Sequence, residues 1–367
     1  MKPKIAKLRV GLAALAAALG VAVTANHGVA AGKPHVVLIS GEYEYSSMIT
    51  LPALASYLEK NHGFKTTYLQ RGGGENIDGL EALESADLAI LMIRRMTLPK
   101  GQLARIRSYV ENGGAVVGLR TTSHAFENWK AWDNEVLGGN YHGHHGNNLV
   151  ATARVPDEAL EHPIMQGVER QFVTGGSLYE TVPLAEGATL LLNGTVKGEK
   201  PEPMAWTHRY NKARVFYSSL GDAKDFAKQP FMQMLVRGIH WAMDRPMPDK
   251  PAKAIEHFPS RIIETEAFEA FAKHHRTQVL DVRTPGEFRD GHVAKAWNID
   301  FSSPDFMEKV AKLDRDRPYA LHCRSGGRSG RATKLMKRMG FKFLYDYSGS
   351  MLDWEAADKP LVEGDGE

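Results

Sequence analysis

The sequence has little cysteine: its 367 residues include one, Cys323. A single cysteine cannot form a disulfide within the chain. It also excludes a zinc site built from several thiolates, so any zinc would have to be held by histidines and carboxylates.

The chain also lacks a strong charge of either sign. It has 46 lysines and arginines against 43 aspartates and glutamates, a formal net charge of +3. The first 31 residues hold four of the basic residues and no acid, so the rest of the chain carries −1. A nearly neutral chain has no general attraction for nucleic acid or for an anionic membrane, and we predict neither as a partner.

The N-terminus has the pattern of a bacterial secretory signal peptide. Residues 1–9 are basic, residues 10–25 form an almost unbroken apolar stretch, and small residues at 29–31 suit cleavage. About 16 apolar residues fall short of the roughly 20 that span a bilayer, which favours cleavage over a membrane anchor. We therefore predict a signal peptide at 1–31, a periplasmic or secreted protein, and no stable membrane span after cleavage.

The remaining length suits two domains, and the composition, 43% hydrophobic and 24% charged, is globular. We predict the first domain at 34–245, where β-branched runs alternate with amphipathic segments. This alternation with short loops predicts a parallel sheet with helices on both faces. Ligands of such sheets bind beyond the carboxyl ends of the strands. Three segments are predicted to lie there: 40–46, 94–96 and 120–126.

A loop dense in glycine and histidine follows at 137–147. Its histidines can supply two imidazoles to Zn, Fe or Cu, with His124 or Asp222 as a further ligand. The alternative is a polar loop at a pocket rim, with its histidines hydrogen-bonded to the backbone. The metal content of this domain stays open.

Charged side chains at the predicted strand ends are further candidates. Glu42 and Glu44 can act as a general base or bind sugar hydroxyls, or they can be solvated loop acids. Arg94, Arg95 and Arg120 can hold an anionic group, or they can pair with those glutamates. The candidate pocket residues of this domain are Glu42, Arg120, His124, His142, His144, His145 and Asp222.

The first domain resembles the trehalose-utilisation, or ThuA-like, family. The resemblance rests on the strand ending at Gly41, GLRTTSHAF at 118–126, LGGNYHGHH at 137–145, and Trp206 followed by RVFYSSLGD at 214–222. It implies a glutamine-amidotransferase-like fold with a flavodoxin-type sheet and a role in sugar metabolism. Amidotransferases carry a cysteine at the sharp turn after the third strand, where this chain has Arg120, so glutamine hydrolysis through a thiolate is excluded. Asp222 stands where the family pattern often has histidine.

Four prolines at 246–259 predict an extended, semi-rigid linker between domains that fold independently. A second domain is predicted at 260–362, where strands and helices alternate again. Its strand at 319–322 leads directly into Cys323.

The loop after that strand carries the strongest chemical pattern in the chain. Cys323 is followed by Arg324, Ser325, Gly326, Gly327, Arg328 and Ser329, and then by a predicted helix. The glycines let successive backbone N–H groups point inward as an anion-binding nest, and the helix start adds its dipole. These groups and the two arginines lower the pKa of a thiol. We predict that Cys323 is largely thiolate, attacks a sulfane sulfur and holds it as a persulfide; the alternative is an inert, buried cysteine.

The second domain resembles the rhodanese family. The resemblance rests on LDVRTPGEFRDGHV at 280–293, AWNI at 296–299, the CRSGGRS loop at 323–329, and Gly349 ahead of Trp354. It implies that Cys323 is the sulfur-accepting nucleophile, that loop residues 324–329 cradle the persulfide, and that Arg324 holds an anionic donor such as thiosulfate. No cofactor is implied for sulfur transfer. By the same resemblance, Asp281, Arg283, Glu287 and His292 are structural.

Cysteine phosphatases share this fold but place an arginine six positions after the cysteine. Here Arg328 comes at the fifth position and Ser329 at the sixth, so the loop is one residue shorter. A shorter loop favours a sulfur atom or thiosulfate over a phosphoryl group.

These patterns predict two α/β domains, each a mostly parallel sheet flanked by helices, in an exported sulfurtransferase. Its partners would be a small-molecule sulfur donor and a thiol acceptor. A second interpretation places the activity in the first domain, which would bind or process a sugar or oxidised glycoside while the second domain acts as a sensor or binding module. A third makes both domains non-enzymatic binding modules.

Overall fold

The computed structural model describes residues 32–146 and 149–366. The predicted signal peptide at 1–31 lies outside these residues. Within the described ranges, no helix has both the length and the apolar character needed to cross a bilayer. Pro34–Glu367 is one compact unit.

The described residues of the N-terminal domain, 34–146 and 149–245, form eleven strands and three α-helices. The helices are α1 (Ser47–His62), α2 (Lys100–Glu111) and α3 (Gln229–Ala242). The strands are β1 (His35–Gly41), β2 (Lys65–Gln70), β3 (Leu88–Ile93), β4 (Ala115–Leu119), β5 (Gly143–His144), β6 (Thr152–Arg154), β7 (Gln171–Val173), β8 (Tyr179–Glu180), β9 (Thr189–Thr195), β10 (Glu202–Tyr210) and β11 (Ala213–Ser218).

Nine of these strands form one sheet in the order β2-β1-β3-β4-β11-β10-β9-β6-β7, and β5 pairs with β8 apart from it. Strands β2 to β11 in that order pair in parallel, and the strands from β11 to β7 pair antiparallel. The parallel half holds the strands that the sequence predicts as buried β-branched runs. All seven residues of β1 are buried, as expected for a central strand covered on both faces.

Two apolar layers cover that sheet. On one face, α1 packs against β1, whose alternate residues Val36 and Leu38 are buried there, and α3 packs against β4 and β11. On the other face, Ile106 and Val110 of α2 belong to the same apolar cluster as Val37 and Ile39. Because β1, β3 and β4 pair in parallel, the loops that follow them lie together at one edge of the sheet, where the candidate pocket lies.

The C-terminal domain is a five-stranded, all-parallel sheet in the order β12-β16-β15-β13-β14, flanked by five helices. The predicted α/β class, with a mostly parallel sheet in each domain, is confirmed. The strands are β12 (Arg261–Ile263), β13 (Gln278–Asp281), β14 (Trp297–Asn298), β15 (Tyr319–His322) and β16 (Leu344–Tyr347). The helices are α4 (Thr265–Lys273), α5 (Pro285–Asp290), α6 (Phe306–Ala311), α7 (Gly327–Arg338) and α8 (Ser350–Ala356).

The segment at 246–259 contains no helix or strand, as its prolines predict, but part of it is packed into the hydrophobic core. Ala252, Ile255 and Phe258 are buried. They join a hydrophobic cluster that includes Leu54 of the first domain and Phe268 of the second. Proline density indicates the absence of a regular hydrogen-bond ladder, but it does not indicate whether the residues between the prolines are buried.

Candidate functional site

Cys323 lies at the carboxyl end of β15 and at the bottom of a backbone cradle. The chain turns through residues 324–326 and enters α7, and the Cys323 residue is 1% exposed. Gly326 is required at this turn, because its φ of 85° is left-handed and a Cβ there would overlap the carbonyl oxygen of Ser348. The first turn of α8 holds the cradle from outside, where Met351 and Leu352 donate backbone N–H groups to the carbonyls of Cys323 and Arg324, each at 3.1 Å.

The cradle makes the thiol more acidic. Burial alone opposes ionisation of Cys323, but hydrogen bonds from the backbone N–H groups of Ser329, Ser325 and Arg328 and from the Ser350 hydroxyl outweigh it. The net result lowers the pKa of the Cys323 thiol below its ordinary value. These donors surround the position where a negatively charged sulfur would lie, and the twelve-residue helix α7 points its N-terminus at the same place.

The two arginines of the loop have different surroundings. Arg324 is exposed at the mouth of the cradle, where it can meet a ligand. Arg328 donates to both carboxylate oxygens of Glu287 at 2.7 Å, and this pairing lowers the pKa of Glu287 to about 2. Glu287 also forms a capping box with Thr284 at the start of α5. Arg328 therefore ties the loop to α5.

The other residues of the early rhodanese-like motif hold the sheet together. Asp281 is fully buried and accepts from the Arg283 guanidinium at 2.7 to 3.0 Å. Arg283 donates in addition to the carbonyl of Gly291 at 2.6 Å. The buried His292 ring stacks on Phe288, with 3.7 Å between ring centroids. None of these three side chains is exposed enough to meet a ligand, and all serve the local fold.

The sequence interpretation did not identify Ser350. Its hydroxyl oxygen accepts from the backbone N–H of Cys323 at 3.1 Å and lies 3.9 Å from the sulfur. Its φ of 55° is strained for a residue with a side chain. The only local sign of this position was its place directly after Gly349 in the late motif.

The three segments predicted to meet at the edge of the N-terminal sheet do meet there. Arg94 donates its backbone N–H to the carbonyl of Gly41 at 3.1 Å, and Arg95 donates to that of His124 at 2.8 Å. Arg94 Nε also lies 2.8 Å from Glu44 Oε2. Of the two alternatives for Arg94, ion pairing with a neighbouring glutamate is the one observed.

Arg120 occupies the turn where an amidotransferase would place its nucleophile. It has a φ of 46° and is 1% exposed. Its Nη1 donates to the carbonyls of Ser177 and Ser219, and its guanidinium carbon lies 4.4 and 4.3 Å from the ring centres of Tyr45 and Tyr179. Arg120 thus joins the loops around the pocket and does not pair with a glutamate.

The two acids predicted for this pocket, Glu42 and Asp222, have different hydrogen-bond partners. Glu42 is 2% exposed, and its carboxylate accepts the backbone N–H groups of Glu44, Tyr45 and Ser47. Burial raises the pKa of Glu42 in spite of these bonds. Its carboxylate is engaged in shaping the loop after β1. Asp222 is 6% exposed, lines a cavity and is bonded across the domain boundary to Arg276 at 2.7 Å.

The described histidines of the loop at 137–147 contact a carboxylate and backbone carbonyls. His142 and His145 lie beside Glu180, at 3.8 and 4.0 Å, and His144 bonds through Nδ1 to the His145 carbonyl. Within residues 32–146 and 149–366, no group of three or more histidines, cysteines or carboxylates is placed to hold a metal ion. The described part of the loop therefore fits the alternative of a polar pocket rim.

His124 faces a separate cavity of about 290 Å³. Its ring stacks on Tyr141 with 4.3 Å between centroids, and Phe126 and Trp129 line the same cavity. Burial, aided by Arg94 and Arg95, lowers the pKa of His124 to about 3, so its imidazole is neutral. His144 does not line this cavity; its ring lies 6.4 Å from that of Tyr179, measured between centroids.

Asp133, a second residue that the sequence did not single out, lines the His124 cavity. It is 8% exposed, Oδ2 accepts from the Tyr141 N–H at 2.6 Å, and Oδ1 has no hydrogen-bond partner. Burial raises the pKa of Asp133 to about 7. A buried carboxyl that titrates near neutrality beside a neutral imidazole can exchange a proton with a ligand.

Asp133 should make the stability of the chain depend on pH. Its folded pKa lies above the ordinary 3.8, so its contribution to stability is full below about pH 4 and is lost as the pH rises through about 7. We expect Asp133→Asn to lose less stability than the wild type between pH 4 and pH 8. The upper limit of the difference is on the order of 4 kcal/mol.

Urea unfolding at a series of pH values measures this difference. Asp157→Asn is the matched control, because Asp157 is 81% exposed at its side chain. Parallel pH profiles for the wild type and Asp133→Asn would show that Asp133 does not titrate in this range.

Comparisons with known proteins agree with this architecture. The trehalose utilisation (ThuA) family model matches residues 35–242, and the rhodanese-like domain model matches residues 264–357. The thiosulfate sulfurtransferase 16 of Arabidopsis thaliana chloroplasts is 34% identical over 106 residues, which are 26% of this chain and 87% of that protein.

Solved structures resemble each half separately. A ThuA-like protein from Parabacteroides merdae is 17% identical with a TM-score of 0.48, covering 60% of this chain and 93% of its own. A rhodanese-related protein from Thermoplasma volcanium is 32% identical with a TM-score of 0.26, covering 28% of this chain and 97% of its own. The chain belongs to the trehalose-utilisation (ThuA) family and carries a rhodanese-like domain after its ThuA domain.

Proposed function

We propose that the chain transfers sulfane sulfur through a persulfide on Cys323. The observation that carries the proposal is the cradle itself, in which three backbone N–H groups and one hydroxyl favour the thiolate of a cysteine at a strand end. The similarity to a plant thiosulfate sulfurtransferase over most of that protein's length supports the same assignment.

The proposed reaction has two displacements. The Cys323 thiolate attacks the outer sulfur of thiosulfate, a sulfur–sulfur bond forms, and the bond within thiosulfate breaks so that sulfite leaves with the electron pair. A thiolate or cyanide acceptor then attacks the outer sulfur of the persulfide, and Cys323 leaves as a thiolate again. A low-molecular-weight persulfide can replace thiosulfate as the donor. The exposed Arg324 supplies positive charge at the mouth for an anionic donor.

The surroundings of Arg328 favour sulfur over a phosphoryl group. A phosphatase loop needs an arginine free to hold phosphate oxygens. Here Arg328 already donates to both oxygens of Glu287. The signal-peptide pattern at the N-terminus supports a location in the periplasm or outside the cell, where the single free thiol would have to cycle through its persulfide.

The intact mass of the protein tests the proposal. After incubation with thiosulfate and without reductant, the wild type should gain the mass of one sulfur atom, and cyanide should remove it. Because Cys323 is the chain's single cysteine, Cys323→Ser should gain nothing. A wild type that takes up no sulfur, or a Cys323→Ser variant that takes up as much, contradicts sulfur transfer through this residue.

The His124 cavity supports a second candidate function, the binding of a sugar by the ThuA domain. Aromatic walls from Phe126, Trp129 and Tyr141 can pack against the apolar face of a sugar ring. The neutral His124 and the free oxygen of Asp133 can bond to its hydroxyls.

Trehalose and glucose titrated into the full chain test this function by calorimetry. At least one should bind, and His124→Ala should weaken it by about tenfold or more. His162→Ala is the control, since His162 lies outside the cavity and caps the 3₁₀ turn Pro163–Met165. Absence of binding, or equal binding by His124→Ala, counts against a sugar site in this cavity.

A further inference from the structure

A loop of the rhodanese-like domain lies over the carboxyl ends of the parallel strands in the ThuA sheet. Residues 274–277 connect α4 to β13, and Arg276 in this loop donates from Nη1 to Asp222 Oδ2 at 2.7 Å. Its Nε lies 3.8 Å from Glu44 Oε1, and His274 Nε2 lies 3.3 Å from the same oxygen. Two carboxylates of the first domain are thus held by side chains of the second.

These contacts lie around a cavity between the two domains. A cavity of about 190 Å³ is lined by Glu44, Tyr45 and Asp222 from the first domain and by Arg276 and Arg317 from the second. The guanidinium carbon of Arg276 lies 4.5 Å from the centre of the Tyr45 ring.

Arg276 still has hydrogen-bonding capacity at this cavity. Its Nε and Nη2 atoms are buried and have no hydrogen-bond partner among the described residues. Leaving buried donors unpaired is costly, whereas a ligand oxygen in the cavity would satisfy them.

The charges around the cavity select the kind of ligand. Four acidic and three basic side chains line it, and Lys224 pairs with Asp314 at 3.5 Å as Arg276 pairs with Asp222. His274 and Arg94 hold the pKa of Glu44 well below its usual range in spite of its burial, so this carboxylate stays charged. An anion would be repelled by Glu44 and Asp222, and a cation by Arg276. A hydroxyl group can accept from Arg276 and donate to a carboxylate at the same time.

We propose that the cavity between the domains binds a neutral, hydroxyl-rich ligand, and that Arg276 of the rhodanese-like domain contacts this ligand. The proposal rests on the second candidate function, the binding of sugars by this chain, and adds a site apart from the His124 cavity to which the second domain contributes. It does not depend on sulfur transfer by Cys323.

Calorimetric titration of the full chain with glucose, trehalose and glucuronate tests the proposal. Glucose or trehalose should bind, and glucuronate should bind more weakly than glucose because of its carboxylate. Arg276→Gln should weaken binding of the neutral probe by about tenfold or more. Arg261→Gln is the matched control: Arg261 also crosses between the domains, to Gln70 at 2.7 Å, but lies outside the cavity. It should bind like the wild type.

Each other result overturns the proposal in a distinct way. Wild-type affinity in Arg276→Gln, together with a loss in His124→Ala, would place sugar binding in the His124 cavity and leave no ligand for the cavity between the domains. Equal losses in Arg276→Gln and Arg261→Gln would show that both act only by holding the domains together. Tighter binding of glucuronate than of glucose would make the ligand an anion, and no binding of any neutral probe would remove the ligand class altogether.

Discussion

Parallel strands carry all of their carboxyl ends at one edge of a sheet, and both candidate sites of this chain lie at such an edge. Cys323 follows β15, and Arg94 and Arg120 follow β3 and β4. Arg276 and Arg317 precede strands of the second sheet, so the domains meet at its amino edge. Six residues of extended chain from Pro318 to Cys323 span about 16 Å, so the thiol and the interdomain cavity face opposite edges of the sheet. Direct transfer of sulfur from one site to the other within one chain is therefore not built into the fold.

The same physical balance governs the buried anions at both sites. Burial alone would keep Glu42, Glu44 and Cys323 neutral, and each is instead met by donors. At Glu42 backbone N–H groups do not outweigh burial, and the pKa rises. At Glu44 a histidine and an arginine do, and at Cys323 backbone N–H groups and a hydroxyl do. Glu44 has charged partners, whereas Glu42 is met by neutral donors alone.

Features encoded by neighbouring residues could be predicted from the sequence. The Cys323 loop is continuous in sequence, so its nest, its helix start and its arginines could be recognised without a structure. The buried strands β1, β3 and β4 were visible as β-branched runs. The strands β6 and β7 have three residues each, too few to show an alternating pattern, and they were not predicted.

Contacts between residues far apart in the sequence could not be predicted from it. Arg276 meets Asp222 across 54 positions, and Ser350 meets Cys323 across 27. The sequence did not distinguish Asp133 from an exposed loop acid, because the burial of its carboxyl group and the unpaired Oδ1 are properties of the folded chain. The proline-rich segment suggested separate domains, although its apolar residues pack into a cluster shared by both. In each case the property that matters is burial, and a single sequence indicates burial only where apolar residues recur at a regular spacing.

The reactivity of Cys323 at different pH values tests the central claim most directly. The rate of alkylation of the full chain by iodoacetamide, measured from pH 5 to pH 10, reports the fraction of thiolate. A cradle that stabilises the anion predicts a midpoint below about 8.5, the value of an unperturbed cysteine. A midpoint at or above that value would contradict a thiolate-stabilising cradle and the sulfur chemistry that depends on it.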